Sequence, residues 1–352
     1  MKKIINQLKS KVDSAELFKL KSKTIPVNFE VGHLKSIDVS DYEGQALRVI
    51  KNNLIGFSAE SGGKNPDLFM KKAIATSEFG MKANFEFPEE INQENKNSVQ
   101  IYDSKISEKN ISDMIAVGEK MIAQIKDFDK NLRCDLTILK HENEIEYLNS
   151  WGANFSYKKS FLSYSMMIQK TEEQDILMIY SSIDSGRDEL SDRDLTDDLL
   201  EKLKWGKNIV NIESKNMPVI LTPKAGLVLL LPIVSGLNGK SVLKKISPLS
   251  DKKGHKIWGD SLSLYSDGTI HFASGSAPFD DEGIKMRKLP LIKKGEIKNF
   301  YYDLQTAGMA GENSTVNGIR HGIQSAPTPG LSNLVLEEGS VAFSDMIKDV
   351  KA

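Results

Sequence analysis

Apolar and polar positions alternate with a period of two through the first sixty residues, in AELFKLK, PVNFEVG, HLKSIDV, QALRVI and LIGFSAE. Each run is short and bounded by Gly, Asp, Asn or Lys, so the pattern predicts a meander of antiparallel strands. The period then lengthens. Asn65 can cap a helix that takes Pro66 at its first position and ends before Gly80, with Leu68, Ala75 and Phe79 expected near its buried side. A second helix is expected to open at Ser107, because Ile111, Ile115, Gly118, Ile122 and Ile125 recur at helical spacing.

From Cys134 to about Ile183 the alternation returns in CDLTILK, EIEYL, FSYKKSFLSYSMMIQ and ILMIYSS, with turns expected at HEN, NSWG and TEEQD. Residues 184–201 hold eight acidic side chains against two arginines. They lead into a helix with Leu195, Leu199 and Leu203 on one face, and acids near a helix start are favoured by its dipole, so no metal is needed to explain them. A domain boundary is expected near residues 205–216. The predicted class is α+β: an N-terminal domain over 1–210, with an antiparallel sheet covered by helices, then a mostly β C-terminal domain over 211–352.

A chain of 352 residues suits about two domains. Lys and Arg number 47 against 48 Asp and Glu, so no net field draws the chain to nucleic acid or an anionic membrane. The single cysteine, Cys134, excludes an internal disulfide and a multi-cysteine zinc site, and a cytoplasmic setting is expected. At the start of a strand, Cys134 reads as a small buried side chain rather than a nucleophile. The N-terminus lacks the apolar stretch of a signal peptide, and the longest apolar run, LVLLLPIV, is far shorter than the roughly 20 residues of a spanning helix. A soluble protein is expected.

That apolar run continues as SGLNGKS and resembles the strand and Gly-Lys-Ser end of a phosphate loop. The first glycine of such a loop falls on Val234, which is β-branched and disfavours positive φ, and Pro232 interrupts the run. A buried segment followed by a turn is the better reading. HENEIE brings His141, Glu142, Glu144 and Glu146 close in sequence, but a hairpin turn is expected there and extended side chains alternate faces. Asp280, Asp281 and Glu282 offer the oxygens hard cations favour. Consecutive side chains in an extended segment nevertheless point apart, and Gly283 reads as a turn, so these acids are expected to fix the loop through Arg287 or a partner. The histidines at 33, 141, 255, 271 and 321 show no His-x-x-x-His pairing. His271 is placed in a strand, DGTIHFAS, as a structural residue, and His255 and His321 in exposed loops.

The order NMPVILTPKAGLVLLLPIVSGLNGKS, SGSAPFDDEGIKMRKLPLIKKGEIKNFYYDLQTA and PGLSNLVLEEG resembles the C-terminal domain of the TldD/PmbA peptidase family. The combination of PFDDEG, a K-x-G turn and Tyr-Asp-x-x-x-Ala carries the resemblance, and upstream segments extend it over nearly the whole chain. The resemblance implies that one subunit type holds zinc through His-Glu-x-x-x-His on a helix, where two imidazoles bind the metal and the Glu activates water. The other, TldE/PmbA type, lacks this motif and pairs with the first. Aligning the family's trailing Gly-x-x-Gly on Gly236 and Gly239 puts Leu230, Leu231 and Ser235 at the His, Glu and His positions.

The resemblance therefore implies a non-catalytic subunit with no catalytic residue and no metal of its own, and zinc in a HExxxH-bearing partner. The complex would process peptides, and a homodimer is left open. Phe279, Asp280, Asp281, Glu282, Gly283 and Arg287 form the family-motif loop, expected to contact a partner or peptide. The chain stops soon after PGLSNLVLEEG, where relatives are expected to continue, so a shortened subunit or a fragment is the expectation. Two rival readings are a stand-alone peptide- or partner-binding protein and a hydrolase with a metal on Asp280, Asp281 or His141.

Overall fold

The computed structural model describes residues 1–63, 65–89, 99–172, 175–207, 211 and 213–348. Seven strands form one antiparallel sheet: β1 (Ser14–Glu30), β2 (His33–Ile37), β3 (Ser40–Lys51), β4 (Leu54–Ser61), β5 (Arg133–Asn149), β6 (Asn154–Glu172) and β7 (Asp175–Ser185). Their order is β4-β3-β1-β5-β6-β7, with β2 on the far half of β1. AELFKLK and PVNFEVG are a single strand rather than two. Pro26 falls where β1 leaves β3, after Thr24↔Ser40, and takes β2, from Val27↔Ile37, so that edge has no ladder bond there to lose.

Helices cover one face: α1 (Lys2–Leu8), α2 (Pro66–Ser77), α3 (Ser104–Glu108), α4 (Ile111–Phe128) and α5 (Asp192–Trp205). Leu17, Val27 and Phe29 of β1 point into this layer, where one cluster gathers around α1 and α2 and a larger one around α4 and α5. Leu195, Leu199 and Leu203 are buried as the spacing predicts. The Asn65 side chain caps α2 through Leu68 N, but Leu68, Ala75 and Phe79 are exposed, and Phe69, Met70, Ala73 and Ser77 are buried instead. The helix lies so close to Gly56 of β4 that small Ala73 and Ser77 must face the sheet, whatever the larger residues prefer. Asn110, not Ser107, caps α4, and Met114 and Met121 join Gly118, Ile122 and Ile125 on its buried side.

The C-terminal region is mostly β with short helices inserted: α6 (Pro223–Gly236), α7 (Gly239–Leu243), β8 (Leu264–Asp267), β9 (Lys288–Lys293), β10 (Glu296–Ile297), α8 (Leu304–Ala310), β11 (Gly318–Ile319), β12 (Thr328–Pro329), β13 (Leu334–Leu336) and α9 (Phe343–Ile347). A four-stranded sheet, β10-β9-β8-β13, packs on its own core of Leu237, Leu291, Ile292 and Phe300. Lys294 and Gly295 both take positive φ in the β9–β10 hairpin, the geometry that matches strand twist in a two-residue turn. His271 is exposed in a turn after β8, not in a strand, and its Nδ1 accepts from Gln100 N at 2.9 Å.

LVLLLPIV forms most of α6 and is not a buried strand. Thr222 accepts from Ala225 N as its cap, Pro223 occupies the first turn, and Leu230, Ile233 and Val234 contact the C-terminal core at i, i+3 and i+4 spacing. Apolar side chains on the opposite face hid this period. No described helix is long and apolar enough to cross a membrane.

Candidate functional site

The family-motif loop lies against the open face of the large sheet, where alternate residues of β1 (Glu16, Phe18, Leu20), β3 (Ala46, Arg48) and β5 (Ile145, Tyr147) point away from the helices. Phe279 enters an aromatic stack, 4.2 Å from the Phe155 ring, which is itself 4.9 Å from Tyr147. Gly283 takes φ +86°, and its Cα passes so near the Tyr147 ring that an added Cβ would sit 3.0 Å from it. The loop is thus held by packing that only its own turn geometry permits.

Beyond this stack the charges alternate. Glu282 Oε1 accepts from Arg48 Nη1 at 2.9 Å, Arg48 Nε lies 2.9 Å from Glu16 Oε1, and Arg320 Nη2 donates to the same oxygen at 2.5 Å. All four side chains are at most 2% exposed. The Tyr147 hydroxyl lies 3.0 Å from both Glu16 Oε2 and the Glu282 carbonyl oxygen. Glu282 Oε2 also accepts from Leu304 N at the start of α8. The guanidinium groups also lie against aromatic rings, Arg48 4.8 Å from the Phe85 centroid and 5.1 Å from that of Phe87, and Arg320 4.9 Å from that of Phe18.

This corrects the expected partner of the acidic loop. Arg287 is turned away and donates to the Ser314 carbonyl, while Arg48 and Arg320 take Glu282 and Glu16. The three neighbouring acids also diverge. Asp280 accepts from the backbone N–H of Glu282, Ile284 and Gly318, and Asp281 Oδ2 accepts from Arg320 N at 2.7 Å. Among the described residues no group of three or more His, Cys, Asp or Glu side chains converges as a metal site. Glu16, Arg48, Tyr147 and Arg320 were not singled out in the sequence. The available signal was Arg48, a lone charge within the apolar run Ala46–Ile50 and on the same face as Ala46 and Ile50.

Burial pushes the Glu282 carboxyl up to about 7, with Arg48 opposing and the charges of Asp303 and Glu16 reinforcing the rise. Between the ordinary carboxylate value and about 7 the folded chain keeps a proton that the unfolded chain releases. Stability from this group is therefore greatest at the acid end of that window and falls as pH rises through it. Melting temperatures from pH 5 to 8 should show a downward slope that Glu282→Gln reduces. An unchanged slope would refute the assignment.

HENEIE is not a turn but the middle of β5, which runs unbroken where two strands and a turn were expected. His141 points to the open face, with Nδ1 2.8 Å from Thr24 Oγ1, while Glu142, Glu144 and Glu146 lie on the other face. Burial lowers the histidine's proton affinity. Cys134 is buried and its thiol is pushed up to about 11, chiefly by burial, which suits packing and not nucleophilic attack.

On α6, Leu230 is half-buried against the C-terminal core, and Leu231 and Ser235 are exposed. These side chains carry no imidazole and no carboxylate, so this helix does not fit zinc in the manner of His-Glu-x-x-x-His. At the following turn Gly239 N donates to Tyr301 O at 2.9 Å and Lys240 N to Asn238 Oδ1, so these amides are already taken by the protein.

Residues 214–352 match the PmbA/TldA metallopeptidase C-terminal domain. An uncharacterized protein of Methanocaldococcus jannaschii is 24% identical over 332 residues, covering 94% of this chain and 76% of that protein. A metalloprotease TldD homolog of Haemophilus influenzae is 29% identical over 169 residues, covering 46% of this chain and 35% of that protein. The match to that metalloprotease thus spans only about a third of its length. The crystal structure of TldE from Thermococcus kodakarensis superposes with a TM-score of 0.90 at 21% identity, over 99% of this chain and 80% of that one, so the fold is shared. The chain thus shares its α+β fold with TldE from Thermococcus kodakarensis, and its residues 214–352 are similar to the PmbA/TldA metallopeptidase C-terminal domain.

Proposed function

We infer that this chain is a non-catalytic, TldE/PmbA-like subunit of a cytoplasmic zinc metallopeptidase complex that processes peptides, with zinc and the general base supplied by a HExxxH-bearing partner. The observation that carries this reading is the chemistry of α6. The three motif positions hold Leu230, Leu231 and Ser235, and the same helix exposes Leu227, Val228, Leu229 and Leu231 to 47–68%. Continuous with it, Met217, Val219, Ile220 and Leu221 are also exposed. Contiguous apolar surface of this kind marks an interface on a water-soluble protein, and the partner's motif helix is the natural element to meet it.

Co-purification from the source cell tests the assembly. A HExxxH homologue should come down with the chain, and peptidase activity should require both. The double substitution of Val228→Asp with Leu231→Asp alters only exposed positions, so folding should persist while partner capture falls at least about tenfold, as expected when charges enter an apolar interface core. Capture of no HExxxH protein would sink the reading and favour a stand-alone binding protein.

A further inference from the structure

The two edges of the large sheet end differently. At β4 the outward backbone groups are taken: Phe57 N donates to Thr76 Oγ1, whose hydroxyl lies 2.9 Å from Phe57 O, and Ile55 N donates to Met81 O. At β7 they are open. Ile176 N donates to Asp175 Oδ1 and Gly186 N to Phe272 O, so the even-numbered residues turn their backbone away from β6. Between these two points Met178, Tyr180 and Ser182 have no outward backbone partner among the described residues.

The side chains leave this edge unprotected as well. Ile176, Met178 and Tyr180 are 56–62% exposed, and DILMIYSSIDS carries no lysine or proline, the residues that blunt free strands elsewhere. A long apolar edge of this kind is a template for another strand.

The amino-acid order selects which strand. ILMIY, residues 176–180, is apolar throughout in either direction about Met178. A second β7 laid antiparallel, with Met178 opposite its own copy, sets Ile176 against Tyr180 on one face and Leu177 against Ile179 on the other. Even-numbered residues then meet even-numbered residues, so the open N–H and C=O groups bond to each other. The same register brings Asp175 opposite Ser181. Ser181 Oγ lies 2.8 Å from Lys224 Nζ, and that lysine is 52% exposed and 3.5 Å from Asp198 of its own chain. An acid of each copy therefore arrives where the other presents a lysine. Moving the axis to Ile179 or Tyr180 sets Ile176 against Ser182 or Asp184 and loses both matches.

We propose that two copies of this chain pair through β7, antiparallel about Met178, and so join their large sheets into one. The pairing uses none of Leu227, Val228, Leu229 and Leu231 of α6, so it does not rest on the reading of that helix as a partner surface.

Sedimentation velocity of the purified full chain over a concentration series tests it, and the wild type should approach twice the chain mass. Met178→Pro removes an N–H that β6 does not use, and Tyr180→Lys adds the charge that protects free edges. Both should keep the wild-type circular dichroism and weaken the dimer at least about tenfold, the loss expected when edge hydrogen bonds go unmade. If Met178→Pro does not fold, Tyr180→Lys carries the test. Lys224→Glu should weaken the dimer roughly threefold, and adding Asp175→Lys should restore it. Cysteines read the register: Met178→Cys should cross-link to its own copy on mild oxidation and Asp184→Cys should not, with Cys134 buried and silent.

A wild type that stays monomeric, a dimer untouched by Tyr180→Lys, or equal cross-linking of the two cysteine variants would overturn the proposal. A monomer whose β7 amides gain protection from hydrogen exchange only when a synthetic alternating Thr-Val peptide is added would also overturn it, and would give the edge to extended peptides instead.

Discussion

Arg48→Ala should lower the folding stability by about 3–5 kcal/mol, because it leaves Glu16 and Glu282 buried without their shared counter-charge. The loss comes mainly from stranded carboxylates rather than from the absent attraction. Arg320 still reaches Glu16, but the Glu282 carboxylate retains only the backbone N–H of Leu304. Replacing the whole constellation should behave differently. A variant carrying Arg48→Met, Arg320→Met, Glu16→Gln and Glu282→Gln removes the charges together and should lose less than Arg48→Ala alone, since apolar or neutral replacement of a buried ionic group is often close to neutral. Urea denaturation of the single and quadruple variants decides this. If Arg48→Ala costs under about 1 kcal/mol, the network is not holding the loop to the sheet in the way its burial implies.

Gly308→Ala should destabilise the chain by at least about 3 kcal/mol, the upper part of the range for overpacking. A Cβ on Gly308 of α8 would stand 1.6 Å from the Asn84 carbonyl oxygen, a backbone atom with no rotamer by which to retreat. Gln305, one turn earlier, binds the same segment from both sides, accepting from Asn84 N and donating to Lys82 O. The helix would have to lift off residues 82–84, breaking these bonds as well. Gly226→Ala in α6 is the control. Nothing lies within 4 Å of a Cβ there, and the change should stabilise the helix by roughly 0.5–1 kcal/mol through backbone entropy. Thermal melts of the two variants should therefore move in opposite directions, and a shared direction would contradict the packing account.

How much was legible varied with the kind of signal. The α5 stripe and the Asn65 cap depend on neighbours three or four residues apart, and both stand as the spacing predicts. Strand lengths were underestimated, since the polar middles of β1 and β5 look like turns in one dimension. Lys21 and Lys23 there face Glu43, Asp41, Glu144 and Glu142 across adjacent strands, so opposite charges rather than apolar residues line that part of the sheet. In α6 the difficulty was reversed. A run apolar on every side has no period to read, and only packing distinguishes the half-buried Leu230, Ile233 and Val234 from the exposed remainder.

The amino-acid sequence by itself determined the α+β class, the family motifs and the apolar or neutral side chains Leu230, Leu231 and Ser235 of α6, because these follow from residue identity and short spacing. Only the tertiary structure decided what the acidic loop does. Glu282 meets Arg48 across 234 residues and Arg320 meets Glu16 across 304, and no local pattern ranks such partners above the nearby Arg287. Burial makes the choice. A carboxylate removed from water must find a cation in the same place, and which cation is there depends on how the C-terminal loops settle on the sheet.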